Sequence, residues 1–226
     1  MDSVQTFVDF LQSISILGAA WVALYGIDAW RREHIGKRRM ELAEEVLALF
    51  YQARDAIASI RSSFGYSGEG ESRKPGPQET EEQKAALDRA YVLIERYNRH
   101  TELFSRLHSM RYRFMAQFGT EAAEPFLAIV RIVNEMLLSA QRLARLTSVA
   151  EWSLQTDEAQ ELHGKRIMEV YRTYYEGFDD DPIAPRVEEA VLQIERTCRA
   201  AIESQGTLHG LINARIAWRR GHGPRP

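Results

Sequence analysis

Residues 17–39 read LGAAWVALYGIDAWRREHIGKRR. Small and apolar residues continue to Ile27, and then Arg31, Arg32, Lys37, Arg38 and Arg39 arrive within nine positions. Such a stretch is either a membrane span with its cytoplasmic stop or the first helix of a soluble bundle. The fold class turns on which it is.

Around this stretch, residues 10–27 are 18 positions without a charge, and only Gln12, Ser13 and Ser15 among them are distinctly polar. At ~1.5 Å per residue the run measures ~27 Å, just short of a ~30 Å hydrocarbon core. Starting at Val8 closes the gap and leaves Asp9 at the outer interface. Eight strong inserters lie in the run: Phe10, Leu11, Ile14, Ile16, Leu17, Val22, Leu24 and Ile27. At roughly −0.3 to −0.6 kcal/mol each, they supply about −2.4 to −4.8 kcal/mol, an upper bound because those values hold at mid-membrane. Insertion is favourable by a small margin.

The flanks tip the balance. Asp2 and Asp9 precede the run with no Lys or Arg, whereas the five basic residues come after it, opposed only by Asp28 and Glu33. That asymmetry predicts an amino end outside and a long cytoplasmic remainder. Tyr25 and Trp30 stand near the inner boundary, where amphipathic rings concentrate. Asp28 is one turn from Arg31 and Arg32, which lowers its cost near the headgroups. A cleaved signal peptide fits poorly because no positive amino-terminal region leads the run. The competing readings are a helix buried in a soluble bundle and a helix lying on a membrane surface. Ser15, Ala19, Ala23 and Gly26 share one face at spacings of four, four and three, a pattern that lets helices approach closely in lipid.

The totals constrain the remainder. With 226 residues, 45% apolar and 27% charged, the chain has enough material for a sizeable core, so wholesale disorder is excluded. A net charge of −3 disfavours a general nucleic-acid binder, and no nucleic-acid partner is expected. Cys198 is the lone cysteine, so no intrachain disulfide and no four-cysteine zinc site is available.

Beyond the basic cluster, helical periodicity dominates the chain. Leu42, Val46, Leu49, Ala53, Ile57 and Ile60 recur at helical spacing and predict a helix over residues 37–62, either bent at Gly36 or continuous with the first segment. Residues 64–80 hold four glycines and two prolines and read as a mobile surface loop. Within it, GYSGEGES places Glu71 where a phosphate-binding loop needs lysine, and a helix precedes it instead of a strand, so a nucleotide site is rejected. From about Glu79 a single helix of ~40 residues is expected, with Leu87, Ile94, Phe104, Leu107, Met110 and Phe114 on its inner face. Gly119 ends it, Thr120 and Pro125 open the next, and the short link predicts an antiparallel hairpin. Further helices are expected over residues 156–176 and from about Pro185, with the acidic run Asp179 to Asp181 read as a capped helix start before Pro182. The last segment, TLHGLINARIAWRRGHGPRP, reads as packed on the bundle and fraying, with surface lying on an anionic membrane as the alternative.

No catalytic constellation emerges. The six histidines form neither Glu-x-x-His nor His-Glu-x-x-His, DDD at residues 179–181 lacks calcium-loop spacing, and no Gly-x-Ser-x-Gly elbow occurs. No metal, cofactor or enzymatic activity is expected. YRTYYEGF, with Tyr171, Tyr174, Tyr175 and Phe178, has more aromatic residues than one core stripe accepts and is a candidate partner surface.

The expected protein is all-α: a membrane anchor over residues 1–36, a cytoplasmic helical domain over 37–220 with a loop at 64–80, and a disordered tail at 221–226. Its inner-interface anchors are Trp30, Arg31, Arg32, Lys37, Arg38 and Arg39. It would act by protein–protein interaction, as a scaffold, adaptor or self-associating module at the bilayer. A soluble helical adaptor or oligomer with the first helix in its core is one alternative. An enzyme or small-molecule sensor with an interhelical pocket is the other.

Overall fold

The computed structural model describes residues 2–148 and 156–203, apart from some side chains among residues 2–32. The tail expected at 221–226 and the amphipathic segment before it lie outside the described residues. Six α-helices and one 3-10 turn make up the secondary structure, with no strand among the described residues: α1 (Asp2–Arg61), α2 (Glu81–Arg99), α3 (Thr101–Phe118), the turn Thr120–Ala123, α4 (Glu124–Thr147), α5 (Asp157–Tyr174) and α6 (Ala184–Glu203). The chain is an all-α helical bundle.

One part of the expected architecture finds no support. Among the described residues no helix is long and apolar enough to cross a membrane. The transmembrane helix expected over residues 8–27 is instead the opening portion of α1, which keeps helical geometry straight through Gly36 into the charged sequence beyond.

Contacts divide the described residues into two units, one that includes residues 2–42 and a second over Ala43–Ala200. The second unit holds most of the core. All six stripe positions predicted from Leu42 to Ile60 are buried, joined by Ala43, Phe50 and Ala56. Phe50 meets Phe126 of α4 edge-on at 4.9 Å, and Phe126 in turn faces Phe114 of α3 at 5.5 Å, an aromatic cluster that ties three helices together. α4 lies against α2, α3 and α5. That position explains why Ile132, Met136 and Ser139 are buried as well as Phe126, Ile129, Val133, Ala140 and Leu143, which recur at helical spacing: a helix with neighbours on several sides needs more than one apolar stripe.

The expected 40-residue helix is two helices. At His100 the backbone leaves helical geometry (φ −109°, ψ 8°), and the His100 N–H donates to the Tyr97 carbonyl three residues back. Asn98, His100 and Thr101 are poor helix formers close together, and the Thr101 hydroxyl donates to the Asn98 carbonyl at 3.0 Å, competing with the ladder. Tyr97 and Phe104 stack across the break at 5.5 Å. Thr80 supplies the start of α2 through a reciprocal capping box with Gln83. Gly119 ends α3 at φ +93°, as its position predicted, but Thr120 opens the 3-10 turn and α4 begins at Glu124 with Pro125 in its first turn.

Candidate functional site

The amino-terminal portion of α1 presents apolar side chains to its surroundings. Ile14, Ile16, Trp21, Val22, Tyr25, Ile27 and Trp30 are each 50–68% exposed. At 100° per residue these positions cover well over half the helix circumference, so this is not one amphipathic stripe. Trp21 stacks on Tyr25 at 5.7 Å, and Trp30 on His34 at 5.6 Å, each pair one turn apart. On the predicted packing face, Ser15, Ala19 and Gly26 are exposed, and a Cβ built on Gly18 or Gly26 would meet nothing within 4 Å. The side chains of Ala23 and Arg32 lie outside the described residues. Trp30, Arg31, Lys37, Arg38 and Arg39 are exposed, and Lys37 reaches Glu41 at 3.9 Å.

The aromatic segment is arranged differently. Tyr174 is buried at the end of α5, where its hydroxyl donates to the Arg89 carbonyl at 2.8 Å and accepts the Leu93 N–H at 3.1 Å. Burial raises its phenol pKa above the usual value, and that of Tyr175 too. Tyr171, Tyr175 and Phe178 are half-buried. The four predicted partner-surface residues are thus one core anchor and three partly exposed rings, with Tyr171 against Tyr175 at 5.5 Å.

Beneath them lies an arrangement that no local motif announced. Arg61, 2% exposed, donates to the carbonyls of Arg172 (2.9 Å), Thr173 (3.0 Å) and Tyr175 (2.7 Å). α5 stops at Tyr174, so these carbonyls are among those its end leaves without helical partners, and Arg61 caps them from another helix. The same guanidinium grips both oxygens of Asp181, at 2.8 and 3.0 Å. Asp181 also accepts the N–H groups of Ile183 (2.8 Å) and Ala184 (3.2 Å), which makes it the cap of α6. Burial pushes the Asp181 carboxyl up, but the Arg61 and backbone hydrogen bonds outweigh it and hold the group below its ordinary value. Arg96 does similar work where α1 ends. It donates to the carbonyl of Ile60 in the last turn (3.4 Å) and to those of Ser62 (2.6 Å) and Phe64 (2.7 Å) just beyond it, and pairs with Glu69, whose carboxyl it holds low.

The loop over residues 62–80 is tied to α2 by the same chemistry. Glu95 accepts from the Gly70 N–H at 2.9 Å and the Ser72 hydroxyl at 2.7 Å, and Arg73 bridges Asp88 (2.8 Å) and Glu79. Gly70 has φ +91°, and a Cβ there would lie 2.1 Å from the Asp88 carbonyl oxygen, so only glycine fits. These charge-assisted bonds fix helix ends and a loop, which is structural work. Among the described residues, no group of three or more His, Cys, Asp or Glu is placed to hold a metal ion. Cys198 is fully buried, and burial pushes its thiol up to about 12, which leaves it protonated and unreactive at neutral pH.

Compared with models of protein families, with curated proteins and with solved structures, the chain finds no match.

Proposed function

We propose that the chain is a membrane-tethered helical module that acts by binding proteins, copies of itself included, and not by catalysis. The observation that carries this reading is the band of exposed large apolar side chains on α1, from Ile14 to Trp30. A helix apolar over most of its circumference is stable when something apolar covers it. A bilayer would do so for the uncharged run at residues 10–27, although no described helix is apolar enough by itself to cross one, and the basic residues Arg31 to Arg39 would then hold its inner end in the cytoplasm. Tethering concentrates the helical unit Ala43–Ala200 near partners at the same surface.

Carbonate washing of membranes tests the tether. Retention in the pellet with release by detergent is the expected result, and full release without detergent overturns it. Ala19→Arg sharpens the test. A mid-membrane arginine costs about 2.5–3.5 kcal/mol against a gain of at most about 2.4–4.8 kcal/mol, so the fraction retained in the pellet should fall. Tag-accessibility mapping then reads the direction.

A second reading is favoured by the open small-residue face at Ser15, Ala19 and Gly26. There, copies of the chain cover one another's apolar band in water as a soluble oligomer. Carbonate release together with a concentration-dependent mass in light scattering would select it.

A further inference from the structure

Within the unit Ala43–Ala200, residues of α4, of α5 and of the segment before α6 line a cleft of about 620 Å³. That volume falls in the range of sites for small organic molecules, roughly 300–1,000 Å³. Arg142 and Arg145, three apart on α4, line it from one side, and Arg166 of α5 lines it from the other. Arginines elsewhere in this unit are largely committed: Arg61, Arg73, Arg96 and Arg106 all pair with acids. The guanidinium groups of Arg142, Arg145 and Arg166 form no ion pair or hydrogen bond among the described residues, although acids stand close by. Those acids are engaged: Glu135 holds Arg186 at 2.6 Å and Asp180 holds Arg172 at 2.9 Å. Glu169 is the one lining carboxylate left without an ion pair among the described residues. Among the described residues, three unpaired guanidinium groups therefore face one unpaired carboxylate around a common space. An excess of two positive charges on planar forks matches a dianion with several acceptor oxygens. Leu146 and Val170 add an apolar wall beside them.

We propose that this cleft binds a phosphate monoester carrying a compact organic group. Arg142, Arg145 and Arg166 hold the phosphate, which bears close to two negative charges above its second pKa of about 6. Leu146 and Val170 receive the organic part. The monoester is either a soluble metabolite or the headgroup of a lipid of the phosphatidate type, and the recognition chemistry is the same for both.

Isothermal titration calorimetry of the full chain in neutral detergent at pH 8 tests the proposal, with phenyl phosphate and short-chain phosphatidate as separate probes and phenol as the uncharged control. One-site, saturable binding of at least one monoester is expected, with none for phenol. Affinity should drop about tenfold or more in Arg142→Gln and in Arg166→Gln, the scale of one charge-assisted hydrogen bond. Lys165→Gln, on the same helix but outside the cleft, should leave it unchanged. Binding of phenyl phosphate identifies a soluble source, and binding of phosphatidate alone identifies the headgroup. Binding of neither probe overturns the site. So does equal weakening by Lys165→Gln and Arg166→Gln, because that marks diffuse surface charge. The three arginines are exposed, so circular dichroism should read all variants as folded.

Discussion

Replacing Arg61 with Met keeps the aliphatic stem and removes the guanidinium, which isolates the electrostatic role of this residue. In the variant Asp181, whose side chain is 10% exposed, keeps a carboxylate with no cation beside it, and the carbonyls of Arg172, Thr173 and Tyr175 lose their donor. Breaking a buried pair by removing one partner costs about 3–5 kcal/mol, because the remaining charge stays out of water. For a chain of this size each kcal/mol moves the midpoint by ~2–4 °C, so the melting temperature should fall by ~6–20 °C. Thermal unfolding of the full chain followed by circular dichroism at pH 7 measures it. Arg61→Met combined with Asp181→Asn separates charge from packing. The amide oxygen still caps α6 while the stranded charge is gone, so the double variant should be less destabilised than the sum of the single ones. A change under about 1 kcal/mol in Arg61→Met, or a double variant at or beyond the sum, would refute the idea that the pair locks the ends of α1, α5 and α6 together.

Three further outcomes are expected from the same geometry. Asp181 and Glu69 both have carboxyl pKa values held below their unfolded ones, so each contributes stability that is present above pH ~4 and is lost as pH falls through the folded value; urea midpoints should drop between pH 5 and 3, and Glu69→Gln should flatten that slope. Gly70→Ala forces an L-residue to φ +91° with its Cβ against the Asp88 carbonyl, and should cost about 2 kcal/mol or more and open residues 62–80 to protease, whereas Gly119→Ala, strained but with space around it, should cost about 1–3 kcal/mol with no new cleavage there. Cys198 should resist a thiol reagent such as dithionitrobenzoate at pH 8 until denaturant is added, since burial keeps the thiol protonated and shut away; rapid reaction in the folded chain would contradict its placement.

Several elements were legible from residue order because their causes are local. The stripe from Leu42 to Ile60 is buried because apolar residues at spacings of three and four share one side of a helix. Gly119 with its positive φ acts over a few residues and stands where the pattern placed it, and of the acidic run read as a cap before Pro182 it is Asp181 that bonds the backbone ahead of α6. The break at His100 was not legible from the apolar pattern, because that pattern continues on both sides of it. What ends α2 is a competing side-chain bond and a tightened turn.

Residue order alone dictates that this chain is helical, where most helices start and stop, and that α1 opens with an uncharged apolar run ahead of basic residues. It took the packed bundle to show that Arg61 finds Asp181 120 positions away, that Arg96 closes the end of α1, and that Arg142, Arg145 and Arg166 are left facing one cleft. The physical reason is range. Periodicity and capping are read over one or two turns, whereas a charge chooses its partner by distance in space, and in a bundle that distance is set by which helices come to lie side by side.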